Sequence, residues 1–257
     1  MKNTIAFLGA GKMAEGILGA VKEKSSVVMA EKSEERAAYM RGKYGVKVVP
    51  CAASAAKGAK YVFLAVRPQD VDEVAKAVRP VLAKGQTLVS IVAGKTLASL
   101  KSAFGAKARI IRVMPNLALR VNAGMCVLTA HDKTVEGILG GAGETCVLVE
   151  KYFDAVTALS GSGPAYFAYM LRAMSAAGAK AGLPAKTAGA LALQTMFGTA
   201  KFLRESGMDL GEFIAGVCTK GGTTAAGMKK LDVASFGRTV DATIAAAADR
   251  SRELRQA

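Results

Sequence analysis

The apolar pattern of this chain changes character once, near Asp154, and that change bounds the fold. Up to residue 153, short apolar runs at 5–8, 27–30, 46–49, 61–66, 87–92 and 108–113 are bounded by Gly or Pro and separated by helical stretches, such as the charged segment 34–43. Runs of this length alternating with helices predict βαβ units and a mostly parallel sheet. Two later runs, 125–129 and 146–150, extend its edge. Beyond Asp154 the period-two runs stop. The chain becomes rich in Ala, Leu and Met at helical spacing, with helices expected over 155–180, 185–206, 210–217, 225–231 and 236–254, punctuated by Gly182, Pro184 and Gly207. The expected architecture is therefore an α/β domain over 1–153 and an all-α domain over 154–257. Within the second, Leu191-Ala192-Leu193-Gln194-Thr195-Met196-Phe197 is apolar on nearly every side. Such a helix needs cover all round, and one small helical domain has few fully interior positions, so a homo-oligomer interface is expected.

Composition narrows the function classes. The 257 residues carry 35 Lys+Arg against 20 Asp+Glu, a net charge of +15. The excess is +6 over 1–60, +5 over 61–153 and +4 over 154–257, with no basic arm of the kind that tracks nucleic acid. An evenly basic surface instead favours small anionic ligands. Cys51, Cys126, Cys146 and Cys218 are dispersed and His131 is the single histidine, which argues against a metal site or a His-based triad. No apolar run reaches the length of a membrane helix and the amino terminus lacks the features of a signal peptide. The expectation is a cytoplasmic protein with no membrane or nucleic-acid partner.

The segment Gly9-Ala10-Gly11-Lys12-Met13-Ala14 fits G-x-G-x-x-A directly after the first strand and at a helix start. Glycines there permit a tight turn and close approach of a pyrophosphate, and a small sixth residue lets helix and strand pack. The helix N-terminus adds free N–H groups. The first domain thus reads as a Rossmann-type dinucleotide-binding domain. Glu31, twenty residues after Gly11, is placed to hold ribose hydroxyls and favour NAD(H). Lys32, Ser33 and Arg36 follow at once and suit a 2′-phosphate. The cationic cluster tips the reading to NADP(H), with NAD(H) still open.

Further segments carry a family resemblance. Ala65-Val66-Arg67-Pro68-Gln69 closes the fourth strand and Arg112-Val113-Met114-Pro115-Asn116 the sixth. Ser160-Gly161-Ser162-Gly163-Pro164-Ala165 opens the helical half, and Gly221-Gly222-Thr223-Thr224-Ala225-Ala226-Gly227-Met228 precedes a late helix. In this order and spacing the chain resembles the Δ1-pyrroline-5-carboxylate reductases, which make proline, over nearly its whole length. The resemblance implies NAD(P)H-dependent reduction of 1-pyrroline-5-carboxylate and a helical domain that dimerises, with assembly as far as decamers. It also implies an active site between the domains, completed by the partner subunit. Cofactor contacts are implied for Gly9, Gly11, Lys12, Met13, Ala65, Val66, Arg67, Pro68, Ala93, Gly94 and Asn116, beside Glu31, Lys32 and Ser33. Substrate contacts are implied for Thr219, Gly221, Gly222, Thr223 and Thr224.

The chemistry of the implied loop is coherent. Residues 219–224 lead into a helix, so their amides can converge on a carboxylate, and two glycines let the backbone come close. The amine that forms needs a hydrogen-bond partner, for which the Thr224 hydroxyl is the candidate. A protonated imine needs no strong general acid, which suits a site without histidine. Structural readings stand beside these: Thr223 and Thr224 as helix N-caps, the 160–164 segment as a helix break with Ser162 or Gly163 capping, Asp154 as an N-cap. The chain also departs from the family pattern. Leu117-Ala118 stand where the family has Thr-Pro, followed by Arg120, and Cys218-Thr219-Lys220 stand where it has Ser/Thr-Ser-Pro. The departures leave open a reductase for another cyclic imine or carbonyl acid, and a dinucleotide-binding regulator without turnover.

Overall fold

The computed structural model describes residues 4–256, without the side chain of residue 256. The chain divides into two compact units: one runs to Ser162 and takes in the chain from Ala247 onward, and the other is Gly163–Ala246. The sequence division at 153/154 thus lies nine residues before the observed one, and the last turns of the final helix belong to the first unit.

The first unit is built on one eight-stranded sheet: β1 (Ile5–Leu8), β2 (Val27–Ala30), β3 (Lys47–Val49), β4 (Tyr61–Leu64), β5 (Thr87–Ser90), β6 (Arg109–Pro115), β7 (Gly124–Leu128) and β8 (Gly143–Val147). Its order is β3-β2-β1-β4-β5-β6-β7-β8. β1 to β6 are parallel, β7 runs antiparallel to β6, and β8 lies parallel to β7. The two late runs do extend the edge, β8 starting three residues earlier than the sequence suggests.

Strand periodicity explains the layers. Ile5, Phe7, Tyr61, Phe63 and Val89 point to one face, against α1 (Lys12–Ala20), α2 (Glu34–Tyr44) and α6 (Lys133–Gly140). Ala6, Leu8, Val62, Leu64 and Leu88 point to the other, against α3 (Ala52–Ala56), α4 (Val71–Val78) and α5 (Leu97–Phe104). A strand covered on both faces is apolar at every position, and all four residues of β1 and of β4 are buried. Phe7 and Phe63, paired in register, stack with ring centroids 4.9 Å apart.

The expected helix over 155–180 is interrupted. α7 (Phe153–Val156) passes into a π-turn over Thr157–Gly161, with Ser162 N–H on the Thr157 carbonyl at 2.8 Å, and then into α8 (Gly163–Lys180). The helical path thus breaks at Ser162, between the π-turn and α8, and Pro164 falls in the first turn of α8 as the sequence suggests. A Cβ on Gly161 would stand 2.9 Å from Met114 Cε, the mobile end of a flexible side chain.

Asp154 is not an N-cap, a place held by Tyr152. It is buried, accepts from Ser251 Oγ at 2.8 Å and pairs with Arg255 at 3.2 Å. The carboxylate thus anchors the end of α12 (Phe236–Gln256) to the first unit.

The second unit comprises α8, α9 (Ala185–Ser206), α10 (Leu210–Val217), α11 (Thr223–Val233) and the first half of α12. In α8 and α9, Gly163, Ala188 and Ala192 are the buried residues. Large apolar side chains stand open, among them Phe167 at 63%, Leu191 at 52%, Leu193 at 58% and Phe197 at 60% exposure. No described helix is long and apolar enough to cross a membrane.

Candidate active site

The parallel order reverses between β1 and β4, and in open α/β sheets the crevice outside the strand ends at that point is where ligands bind. Here it is a cleft of about 540 Å³ lined by Gly9, Gly11, Glu31, Lys32, Ser33, Ala65, Val66 and Arg67 among others. Eight of the residues expected to hold a cofactor thus meet in one cavity. Lys12 and Met13 do not line it: Lys12 is exposed on the first turn of α1, and Met13 packs half-buried on the core. Pro68, Ala93, Gly94 and Asn116 do not line it either. Asn116 acts at the end of β6, where its Oδ1 accepts from the N–H groups of Ala118 and Met125 and its Nδ2 donates to Ser160 Oγ at 3.3 Å.

The two glycines of the turn differ in cause. Gly9 has φ +96°, and a Cβ there would stand 2.8 Å from the Ala65 carbonyl oxygen, so backbone and packing both demand glycine. Gly11 has φ −65°, a conformation any residue adopts, and a Cβ there would meet nothing within 4 Å. No demand of the fold accounts for glycine at Gly11. Close approach of a ligand does, because the missing side chain leaves room on the cleft wall. Gly11 is also the N-cap of α1 and makes no side-chain cap, so the first N–H groups of that helix are open to a phosphate. The turn therefore fits a dinucleotide pyrophosphate.

The charges at the cleft are more fully paired than their sequence positions suggest. Glu31 is turned onto the backbone, accepting from Ala10 N–H at 3.1 Å and Ser33 N–H at 2.9 Å. Arg36 corrects the expected cationic cluster. It points inward, donating from Nε to the Ala10 carbonyl at 2.7 Å and from Nη2 to Glu15 at 2.6 Å. Ser33 caps α2 by accepting from the Arg36 N–H. Lys32 stays at the rim, paired with Glu73 at 2.5 Å, and Arg67 pairs with Asp70 at 2.9 Å. These acidic partners, with Pro50, Ala52 and Val74, also line the cleft, and sequence reasoning missed them. Asp70 was within reach as the i+3 neighbour of Arg67. Glu73, 41 positions from Lys32, carried no local signal.

Glu15, in the first turn of α1, anchors the support beneath the turn. It is 7% exposed and accepts from Arg36, Tyr39, Lys43 and Tyr44 at 2.6–3.0 Å. Burial pushes its pKa up, but the four donors outweigh burial and hold it at about 2, below its ordinary 4.5. A carboxyl depressed on folding stabilises above its unfolded pKa and loses that contribution as pH falls through its folded value. Thermal stability should therefore decline as pH drops from about 4.5 towards about 2. A Glu15→Gln variant should melt several degrees lower at neutral pH and converge on the parent at the acid end. Parallel acid limbs, measured by circular dichroism, would contradict this.

The loop expected to hold the substrate lies in the second unit. Residues 219–222 form a tight turn closed by the Gly222 N–H on the Thr219 carbonyl at 3.0 Å, with Gly221 at φ +73°. Glycine suits that third position of a turn. A Cβ on Gly222 would stand 2.6 Å from Thr219 Oγ1. The N-cap of α11 is Gly222, with no side-chain cap, so Thr223 and Thr224 are not caps but the first two helical residues. No side chain caps the first amides of α11. Thr223 is exposed, Thr224 half-buried, and Lys220 exposed at the tip of the turn. His131, in the first unit, lies on the surface near Glu136 at 3.4 Å. Among the described residues no group of three or more His, Cys, Asp or Glu gathers as metal ligands would.

Comparison with known proteins agrees with these features. Residues 150–254 match the family model described as pyrroline-5-carboxylate reductase dimerisation, and residues 4–94 match one described as NADP oxidoreductase, coenzyme F420-dependent. A pyrroline-5-carboxylate reductase of Glycine max is 37% identical, with 98% of this chain and 96% of the relative covered. One of Pseudomonas aeruginosa is 35% identical, covering 97% and 96%. Among solved structures, a pyrroline-5-carboxylate reductase from Coxiella burnetii superposes with a TM-score of 0.94 at 27% identity over 99% of both chains. That of Plasmodium falciparum, solved with NADP bound, gives 0.87 at 26% identity over 99% and 98%.

Proposed function

The chain belongs to the pyrroline-5-carboxylate reductase family, and on that premise we propose that it reduces 1-pyrroline-5-carboxylate to L-proline with NADP(H) as cofactor. The observation that carries the reading is similarity over nearly the full length of both chains, a span that takes in both the glycine turn and the loop at 219–224. The division of labour follows the expected domains, 1–153 for the dinucleotide and 154–257 for substrate and subunit contact.

Each group has a defined task. Gly9 and Gly11 let the backbone approach the pyrophosphate, and the uncapped amides of α1 receive it. Lys32 takes the 2′-phosphate. Its partner Glu73 is exposed, and an exposed pair exchanges for a stronger anion at little cost. When bound, NADPH supplies the hydride that adds to the imine carbon. The amides at the start of α11, with Thr219 and Thr223, hold the carboxylate, and Gly221 and Gly222 let it close on the backbone. The Thr224 hydroxyl hydrogen-bonds the ring nitrogen, which enters already protonated, so that positioning rather than proton transfer dominates.

A second copy of the chain covers the apolar side chains left open on α8 and α9. The dimer is the minimum assembly, and stacking of dimers towards a decamer is part of the proposal. A cytoplasmic setting rests on four dispersed cysteines, all free thiols.

Thr224→Ala should lower kcat/KM at least tenfold, about 1.4 kcal/mol, with NADPH affinity unchanged and Thr224→Ser largely active. An unaltered kcat/KM would remove Thr224 from this role. Steady-state comparison with ring-size analogues tests the substrate, and a faster rate on a six-membered cyclic imine would reassign it.

A further inference from the structure

Beside α1 lies a polar crevice of about 170 Å³, lined by Glu15 and Gly16 of α1, Lys43, Tyr44, Arg120 and Asn122 among others. None of its residues lines the cofactor cleft. Its construction is specific. Gly16 lacks the Cβ that would collide with Leu119 Cδ1 at 2.1 Å and crowd Arg120 Cγ at 3.1 Å. The helical turn Leu117–Val121 therefore seats directly on α1 and brings Arg120 to the crevice. The turn ends at Asn122 in the left-handed region, φ 56°.

The charge there does not balance. Glu15, at the back wall, already accepts from four donors. It faces Arg36 and Lys43 from α2, while Arg120 has no ion-pair partner among the described residues. Of the charged side chains that line the crevice, one carboxylate, Glu15, stands against two cations, Lys43 and Arg120, which leaves the lining net positive. A guanidinium beside an ammonium and a side-chain amide is a donor set for a planar or tetrahedral oxyanion. We propose that this crevice is a second anion site, taking a small carboxylate or phosphate through the Arg120 guanidinium, assisted by Lys43 and Asn122.

The inference is independent of the catalytic reading. The test uses the full-length protein with NADP+ in excess, so that the phosphate subsites of the cleft are filled. Inorganic phosphate and, separately, acetate are titrated at constant ionic strength while the amide resonances of Gly16, Gly19 and Asn122 are followed by NMR. Saturable shifts in the millimolar range are expected with at least one anion, and the anion that saturates identifies the source. Arg120→Gln should weaken the binding at least tenfold, about 1.4 kcal/mol, with NADP+ affinity unchanged. Shifts that grow linearly with both anions, or saturation that survives Arg120→Gln, would overturn the proposal.

Discussion

A Gly11→Val variant is expected to fold and to lose the cofactor. At φ −65° valine is sterically allowed, and its Cβ enters open space. The cost to the fold is limited to a poorer N-cap, about 1 kcal/mol, or about 2–4 °C in Tm for a protein of this size. The same side chain fills the cleft wall where a pyrophosphate must touch backbone. NADPH affinity should fall by a factor of about 100 or more, about 2.7 kcal/mol. Fluorescence titration beside a thermal melt separates the two effects. Near-parent affinity in the variant would mean that the turn does not hold the pyrophosphate. Gly9→Val makes the useful contrast, because φ +96° and the Ala65 carbonyl at 2.8 Å place its damage in the fold itself.

The second large effect is expected at the surface of the helical unit. Phe197 stands 60% exposed on α9, in company with Leu191 and Leu193, and Phe167 on α8 is likewise open. Large apolar groups left open on one pair of helices mark an interaction surface, and covering each contributes about 1.5–3 kcal/mol. Phe197→Asp exchanges one such contribution for a carboxylate with no partner, which costs several kcal/mol more when buried. Light scattering coupled to size exclusion should find the parent at least dimeric at micromolar concentration and the variant monomeric, with reductase activity falling alongside. A monomeric parent, or a variant that stays dimeric, would contradict this role for the face.

What the sequence could show depended on how local each determinant was. The central strands β1 and β4 were visible because a strand covered on both faces must be apolar at every position, as 5–8 and 61–64 are. The phosphate turn was visible because its glycines, strand and helix start fall within a few residues. α9 and α10 matched the expected bounds because proline or aspartate opens them and their C-caps follow directly. The π-turn at Thr157–Gly161 was hidden, since one extra residue in a turn barely disturbs a helical apolar pattern. The charge pairing at the cleft was hidden because its partners lie far apart along the chain. Lys32 meets Glu73 from another helix, and Arg36 turns inward because Glu15 and the Ala10 carbonyl lie beneath it. The threonines that begin α11 looked like caps because threonine favours that place, yet Gly222 holds it.

The central claim is that the cleft beside Gly11 and the loop leading into Thr224 serve one reaction, the reduction of a cyclic imine by NADPH. It is tested most directly by the initial rate of NADPH oxidation with purified protein and 1-pyrroline-5-carboxylate, with L-proline measured as product and NADH run in parallel. The account predicts stoichiometric L-proline and a higher kcat/KM with NADPH than with NADH. A protein that binds NADPH but forms no L-proline with either cofactor would contradict it.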